Sequence, residues 1–273
     1  MSSQSVLLIG ASGWVGPYFS AEFLQQKDKF ARLAILSDAS KVSKFAKEAA
    51  AGIEIVVGSY LEPASFKGST TVICMLGNEP MKLQPHIIEA AIAGGVTHFY
   101  PSEFGSDLSH PVALTQRYFR DKQATRRHLE QTAQKHNTFG YTYIMNGGFA
   151  EFAAHPAFGF NQAEKKFEFW GDTKIRQPVS GVKEQWNEIV AIISRIEGVE
   201  YQIIHHPNDE AYAQAAMFAK EGDVFQELMW SLKAFLGDPK ADPVPKPWDV
   251  DQFPEIEPEG LEASLKRYLE AKK

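Results

Sequence analysis

Two sets of residues carry chemistry in this chain. The first is Gly10-Ala11-Ser12-Gly13-Trp14-Val15-Gly16, in which glycine recurs at every third position. The second is Tyr118 and Lys122, four residues apart in a run read as helix, a spacing that puts both on one face. The glycines fit phosphate chemistry. Gly10 permits a tight turn, Gly13 lets backbone approach a pyrophosphate, and Gly16 lets a helix pack closely on a strand. The helix N-terminus then adds free N–H groups and a positive dipole end. Ser12, Trp14 and Val15 are expected to share that contact surface. A phenol and an amine are groups that move protons. Their spacing alone selects nothing, because Tyr268 and Lys272 repeat it at the C-terminal end, where it reads as accidental.

The elements that must position these groups alternate. Strand-like apolar runs occur at 5–9, 31–36, 53–57, 70–76, 96–100 and 141–145. Helical patterns lie between them near 14–27, 40–50, 82–93 and 112–136. Near-continuous apolar strands separated by helices predict a parallel sheet covered on both faces, an α/β fold of Rossmann-type doubly wound design. Ligands in such sheets bind outside the carboxyl ends of the strands. Those ends are Gly10–Gly16, Ser37–Asp38, Gly58–Tyr60, Gly77–Asn78, Pro101–Gly105 and Asn146–Phe149. Met75, Leu76 and Gly77 are therefore expected beside the cofactor.

Residues 1–150 are read as the nucleotide-binding domain. Residues 151–273 are read as a smaller, dependent substrate-binding lobe. Lys166–Trp170 alternates like a strand, and helices are expected at 186–196, 210–221, 222–236 and 259–271. The proline-rich stretch from Asp238 to Pro258 is read as an ordered strap anchored by Trp248, Phe253 and Ile256.

Composition sets the class. The 273 residues are 44% hydrophobic and 23% charged, enough for a sizeable core, and a net charge of −6 argues against nucleic acid or anionic membrane as partner. Arg126-Arg127 is read as a solvated face. Cys74, the only cysteine, lies in an apolar run and is expected to be a buried strand residue in a reducing compartment. The N-terminal apolar run has strand length and no basic flank, so a cytoplasmic location is expected. His98, His155, His205 and His206 lack metal-ligand spacing, and no metal is expected.

The end of the second strand bears on cofactor choice. An acidic residue there binds ribose hydroxyls and favours NAD, whereas arginine accommodates the 2′-phosphate of NADP. Here Ser37 and Asp38 occupy that end, with Lys41 and Lys44 following. The aspartate would repel a 2′-phosphate and the lysines would offset it, which leaves both dinucleotides open.

Several stretches together resemble one family. The Gly10–Gly16 turn is one. Ala90–Gly105, ending Tyr100-Pro101-Ser102-Glu103-Phe104-Gly105, is similar to its helix, strand and P-S-E-F-G signature. Lys122-Gln123-Ala124-Thr125-Arg126-Arg127 resembles its K-x-x-x-R-R segment, and Tyr141–Ile144 with Gly148-Phe149 resembles the sixth strand and its loop. On these residues the chain resembles the isoflavone reductase, pinoresinol–lariciresinol reductase and phenylcoumaran benzylic ether reductase group, within the NmrA-like family of atypical short-chain reductases. The match covers about residues 5–150, and the C-terminal end looks more like fungal relatives.

The resemblance implies an NAD(P)H-dependent reductase of secondary metabolism, with NADP(H) favoured. Hydride would pass to a C=C, C=O, C=N or benzylic ether carbon of a small aromatic or unsaturated metabolite. Lys122 would be the general acid/base. In short-chain reductases a paired tyrosine, here Tyr118, moves the proton, but many family members lack it. Two positions depart from the family: Ser37-Asp38 replaces its usual arginine, and Gly58-Ser59 its Gly-Asp.

Further expected cofactor contacts are Pro101, Ser102, Glu103 and Phe104. Ser102 is read equally as a substrate hydrogen-bonder, a cap or a cofactor contact. Glu103 and Asp107 are read as structural carboxylates. Phe104, Asn146, Gly148, Phe149, Phe152 and His155 are expected to line a substrate pocket. The family also implies two other readings: a dinucleotide-binding redox sensor without turnover, or an isomerase or cyclase that uses the cofactor as scaffold.

Overall fold

The run Ser5-Val6-Leu7-Leu8-Ile9 forms strand β1, buried from Val6 onward because neighbouring strands and helices cover both its faces. The computed structural model describes residues 4–179, 182–241, 244, 249–253, 255, 257 and 259–272. In chain order the elements of the first half are β1, α1 (Gly16–Gln25), β2 (Arg32–Ser37), α2 (Ala46–Ala50), β3 (Glu54–Val57), β4 (Thr71–Cys74), α3 (Asn78–Met81), α4 (Gln84–Ala93), β5 (His98–Tyr100), α5 (Pro111–Thr115), α6 (Arg120–Lys135) and β6 (Gly140–Tyr141). There follow α7 (Ala150–Ala153), β7 (Phe160–Asn161), β8 (Lys166–Trp170), β9 (Arg176–Val179), β10 (Val182–Gln185), α8 (Trp186–Glu197), β11 (Gln202–His206), α9 (Asn208–Glu221), α10 (Val224–Gly237) and α11 (Leu261–Glu270).

The central sheet runs β3-β2-β1-β4-β5-β6 with every pair parallel. This is the doubly wound Rossmann order, in which the chain leaves the β1/β4 junction in opposite directions and opens a crevice at the strand ends. Leu7, Ile9, Ala34, Val72, Cys74, Ile87 and Phe99 share its core, with Phe66 and Phe99 fully buried. Cys74 is buried as expected, and burial pushes its thiol up to about 12.

The chain divides into two units: Met1–Glu103 with Asp121–Ile144, and Phe104–Arg120 with Met145–Lys273. Both units are discontinuous, the second is the longer, and the boundary expected at residue 150 falls inside it. The second unit contains a three-stranded sheet, β11-β8-β7, and the antiparallel pair β10-β9. Phe160, Phe167, Phe169, Trp186, Ile189 and Leu265 form its main core.

Two local expectations fail for physical reasons. The helix expected over 112–136 is interrupted: Gln116 is extended (φ −79, ψ 123), and a 3-10 turn, Arg117–Phe119, precedes α6. Phe119 packs edge-on against Phe235 with centroids 4.9 Å apart, so tertiary packing overrides helix continuation there. The sixth strand, expected over 141–145, pairs only at Gly140 and Tyr141. Its partner β5 runs straight into Pro101, which has no N–H for the ladder. In the proline-rich stretch Phe253 is 47% exposed, while Trp248 and Ile256 lie outside the described residues.

Candidate functional site

The glycine turn closes as its spacing demands. Gly13 N–H donates to the Gly10 carbonyl at 2.9 Å, and Met75 N–H donates to the Ile9 carbonyl at 2.8 Å. Gly10 sits at φ +81, a left-handed conformation disfavoured for residues with a Cβ, and a Cβ there would lie 2.8 Å from the Met75 backbone. At Gly16 a Cβ would stand 2.2 Å from the Ala11 carbonyl oxygen, so only glycine brings α1 this close to the turn. No side chain caps α1, and Pro17 occupies its first turn. Trp14 is 54% exposed.

A cavity of about 400 Å³ opens beside this turn. Gly10, Ser12, Ser37, Asp38, Lys41 and Leu76, all expected from the sequence, line it. Phe45, Gly58, Ser59, Tyr60 and Leu61 line it as well. The signal for the Gly58–Tyr60 part was the end of the third strand. Asp38 Oδ1 accepts from the Ser40 N–H at 2.8 Å and the Ser40 hydroxyl at 2.6 Å, which caps the following 3-10 turn. The Ser40 side chain, the Ser40 backbone and Lys41 all hold the exposed Asp38 carboxyl below its ordinary value.

The other expected residues gather at the ends of β4 and β5. Ser102 is buried. Its hydroxyl donates to the Leu76 carbonyl at 2.7 Å, and its N–H donates to Gln84 Oε1 at 2.8 Å. The hydroxyl proton of Ser102 therefore ties the two strand ends together rather than facing a ligand. The Glu103 side chain, expected among the cofactor contacts, is 1% exposed and paired with Arg126 instead. Arg126 Nε reaches Oε1 at 2.9 Å and a terminal nitrogen reaches Oε2 at 2.8 Å, a bidentate charge-assisted pair. This corrects the reading of Arg126 as solvated; only Arg127 is exposed. The Arg126 guanidinium also lies over the Tyr143 ring, 4.6 Å from its centroid.

Lys122 sits in the first turn of α6 and its Nζ donates to the Glu103 backbone carbonyl. Burial lowers its pKa from the ordinary 10.5; Glu103 opposes that shift and Arg126 adds to it. Desolvation thus makes the charged form of this amine harder to keep than that of a lysine in water. Tyr118 does not share its helix. It belongs to the preceding 3-10 turn and to the second unit's 104–120 segment, and its side chain lies outside those described. Glu103, Arg126 and Tyr143 form a constellation that sequence reasoning missed as a unit, because they lie far apart along the chain.

Phe104, Asn146, Gly148, Phe149, Phe152 and His155 all fall in the second unit. Phe149 and Phe152 pack edge-on at 5.3 Å, and Phe152 stacks on Phe158 at 5.3 Å. His155 Nδ1 accepts from the Ala157 N–H at 3.1 Å and caps a 3-10 turn. Asn146 Oδ1 is buried and has no hydrogen-bond partner among the described residues. Asp107 accepts from the Ser109 N–H at 2.9 Å, the structural role expected of it.

Residues 2–218 match the model of the NmrA-like family. The chain belongs to this family. Among curated relatives of this NmrA-like chain, a phenylcoumaran benzylic ether reductase of Pyrus communis is 31% identical over 159 residues, 55% of this chain and 50% of that protein. The chain thus aligns with about half the length of the curated relatives it matches. An isoflavone reductase structure has a TM-score of 0.79 over 98% of this chain and 100% of that one, at 17% identity. A binary complex of leucoanthocyanidin reductase with NADPH from Vitis vinifera gives 0.77 over 97% and 99%, at 18% identity. These likenesses establish a Rossmann fold of the isoflavone reductase kind. No helix among the described residues is long and apolar enough to cross a membrane.

Proposed function

We propose that this NmrA-like chain is a nicotinamide-dinucleotide-dependent reductase of a small, aromatic or unsaturated metabolite, with Lys122 as its general acid/base. The observation that carries this reading is the glycine turn, where Gly10 and Gly16 hold backbone so close that any Cβ would collide. The residues fit the group: an uncapped helix N-terminus suits a pyrophosphate, and the adjoining cavity suits an adenosine end. Gly10, Ser12, Gly13, Trp14, Val15 and Gly16 would hold the phosphates, and Ser37, Asp38 and Lys41 the ribose. A bound dinucleotide supplies the hydride.

The protein's own residues handle the proton and the alignment. Ser102 fixes the β5 end against Leu76, which itself lines the cavity. The Arg126 clamp on Glu103 holds the peptide whose carbonyl receives Lys122 Nζ. The lysine is thereby oriented by main chain, and its lowered affinity for protons lets it give up or take one at the substrate atom.

On cofactor choice, relatives include an NADPH complex, but Asp38 stands ionised at the lip of the cavity, with Lys41 beside it to offset its charge in part. We therefore propose that NADH binds at least as tightly as NADPH. The test of the catalytic assignment is Lys122→Met. Turnover of a carbonyl or enone substrate should fall by roughly 10²–10⁴ while dinucleotide affinity stays near wild type. Full activity in that variant would remove Lys122 from the mechanism.

A further inference from the structure

A second cavity, of about 750 Å³, lies wholly in the second unit. That size is within the range of small-molecule sites, roughly 300–1,000 Å³. Its charge is one-sided. Lys174, Arg176, Lys183 and Lys240 line it together with His110, and among the described residues Asp172 is the one carboxylate in the lining. The cations arrive from separate places: Lys174 from the turn before β9, Arg176 from β9, Lys183 from β10, and Lys240 from the segment after α10. Four cations converge in one cleft of a chain whose net charge is −6.

Among the described residues, the carboxylates beside Lys174 and Lys240 are engaged by backbone and hydroxyl donors. Asp172 Oδ1 accepts from the Lys174 backbone N–H at 2.9 Å. Asp238, beside Lys240, uses Oδ1 for the Lys240 backbone N–H and Oδ2 for the Tyr212 hydroxyl, both at 2.8 Å. Glu184 and Glu188 act on Arg176 and on each other. Among the described residues, the Lys174 and Lys240 ammonium groups have no hydrogen-bond or ion-pair partner. Like charges focused by a cleft raise the local concentration of counter-charge and favour a bound anion.

We infer that this cleft is a binding site for a multiply charged small anion, carrying phosphoryl or carboxylate groups, held by Lys174, Arg176, Lys183 and Lys240. The inference goes beyond the reductase reading and does not depend on it. Calorimetric titration at constant ionic strength tests it, with inorganic phosphate and citrate as separate probes. Saturable binding is expected for at least one, and the tighter probe tells phosphoryl from carboxylate chemistry. K174Q/K240Q should weaken that binding at least about tenfold, a loss of roughly 1.4 kcal/mol. K220Q/K266Q, which removes two exposed lysines elsewhere and leaves the same net charge, should bind as wild type does. Absence of binding by both probes overturns the inference. So does equal weakening in the two variants, which would make the effect one of net charge. Undiminished binding by K174Q/K240Q also overturns it, because the anion would then sit elsewhere, such as on the glycine turn.

Discussion

The ends of β1 and β2 offer backbone and open space, whereas the junction of β5 with α6 gathers buried charge. At the first, a positive-φ glycine, an uncapped helix and an exposed aspartate border a cavity of about 400 Å³. At the second, Glu103, Arg126 and Lys122 sit together with little water to screen them. The difference teaches that shape can be set locally by a few glycines, while a buried cluster of charge needs groups brought in from separate elements. Loss of a glycine should damage binding first, and loss of a buried charge should damage stability and chemistry first.

Arg126→Leu puts the largest stress on that contrast. It strands the Glu103 carboxylate without its cation and should cost about 3–5 kcal/mol, read as a lower urea midpoint. Gly10→Val should cost less in stability, about 1–2 kcal/mol for the left-handed conformation. The displaced Met75 backbone should also lower dinucleotide affinity about tenfold or more, measured by calorimetry. If the glycine variant proved the less stable of the two and still bound dinucleotide, the contrast would be wrong.

The smallest effect is one of pH. Burial lowers the Lys122 pKa from its ordinary 10.5, so between the lowered folded value and 10.5 the unfolded chain holds the additional proton. Stability carried by this group therefore rises with pH across that window. The melting temperature of wild type relative to Lys122→Met should climb from neutral pH toward pH ~10. A flat difference would mean that the lysine is as well solvated folded as unfolded.

The same contrast explains what the sequence disclosed. The glycine turn, Asp38 and the Rossmann strand order were legible because strand, turn and helix are contiguous in the chain and their periodicities are local. Lys122 stood out through its K-x-x-x-R-R setting, though its burial did not. Its partner Glu103 and the burial of Arg126 were not legible, since the pair bridges 23 positions and a charged residue on a helix ordinarily faces water. The break at Gln116, which separates Tyr118 from α6, was hidden for a related reason. It follows from Phe119 packing on Phe235, a contact between distant segments that no local pattern encodes. The 104–120 segment joined the second unit on the same kind of contact.

The account rests on a dinucleotide occupying the glycine turn, and a calorimetric titration of the wild-type chain with NADH and NADPH tests it most directly. We expect saturable binding of one dinucleotide per chain, with a Kd on the order of micromolar and NADH at least as tight as NADPH. Tighter binding of NADPH would refute the role given to Asp38 alone. Absence of heat from both dinucleotides would contradict the central claim.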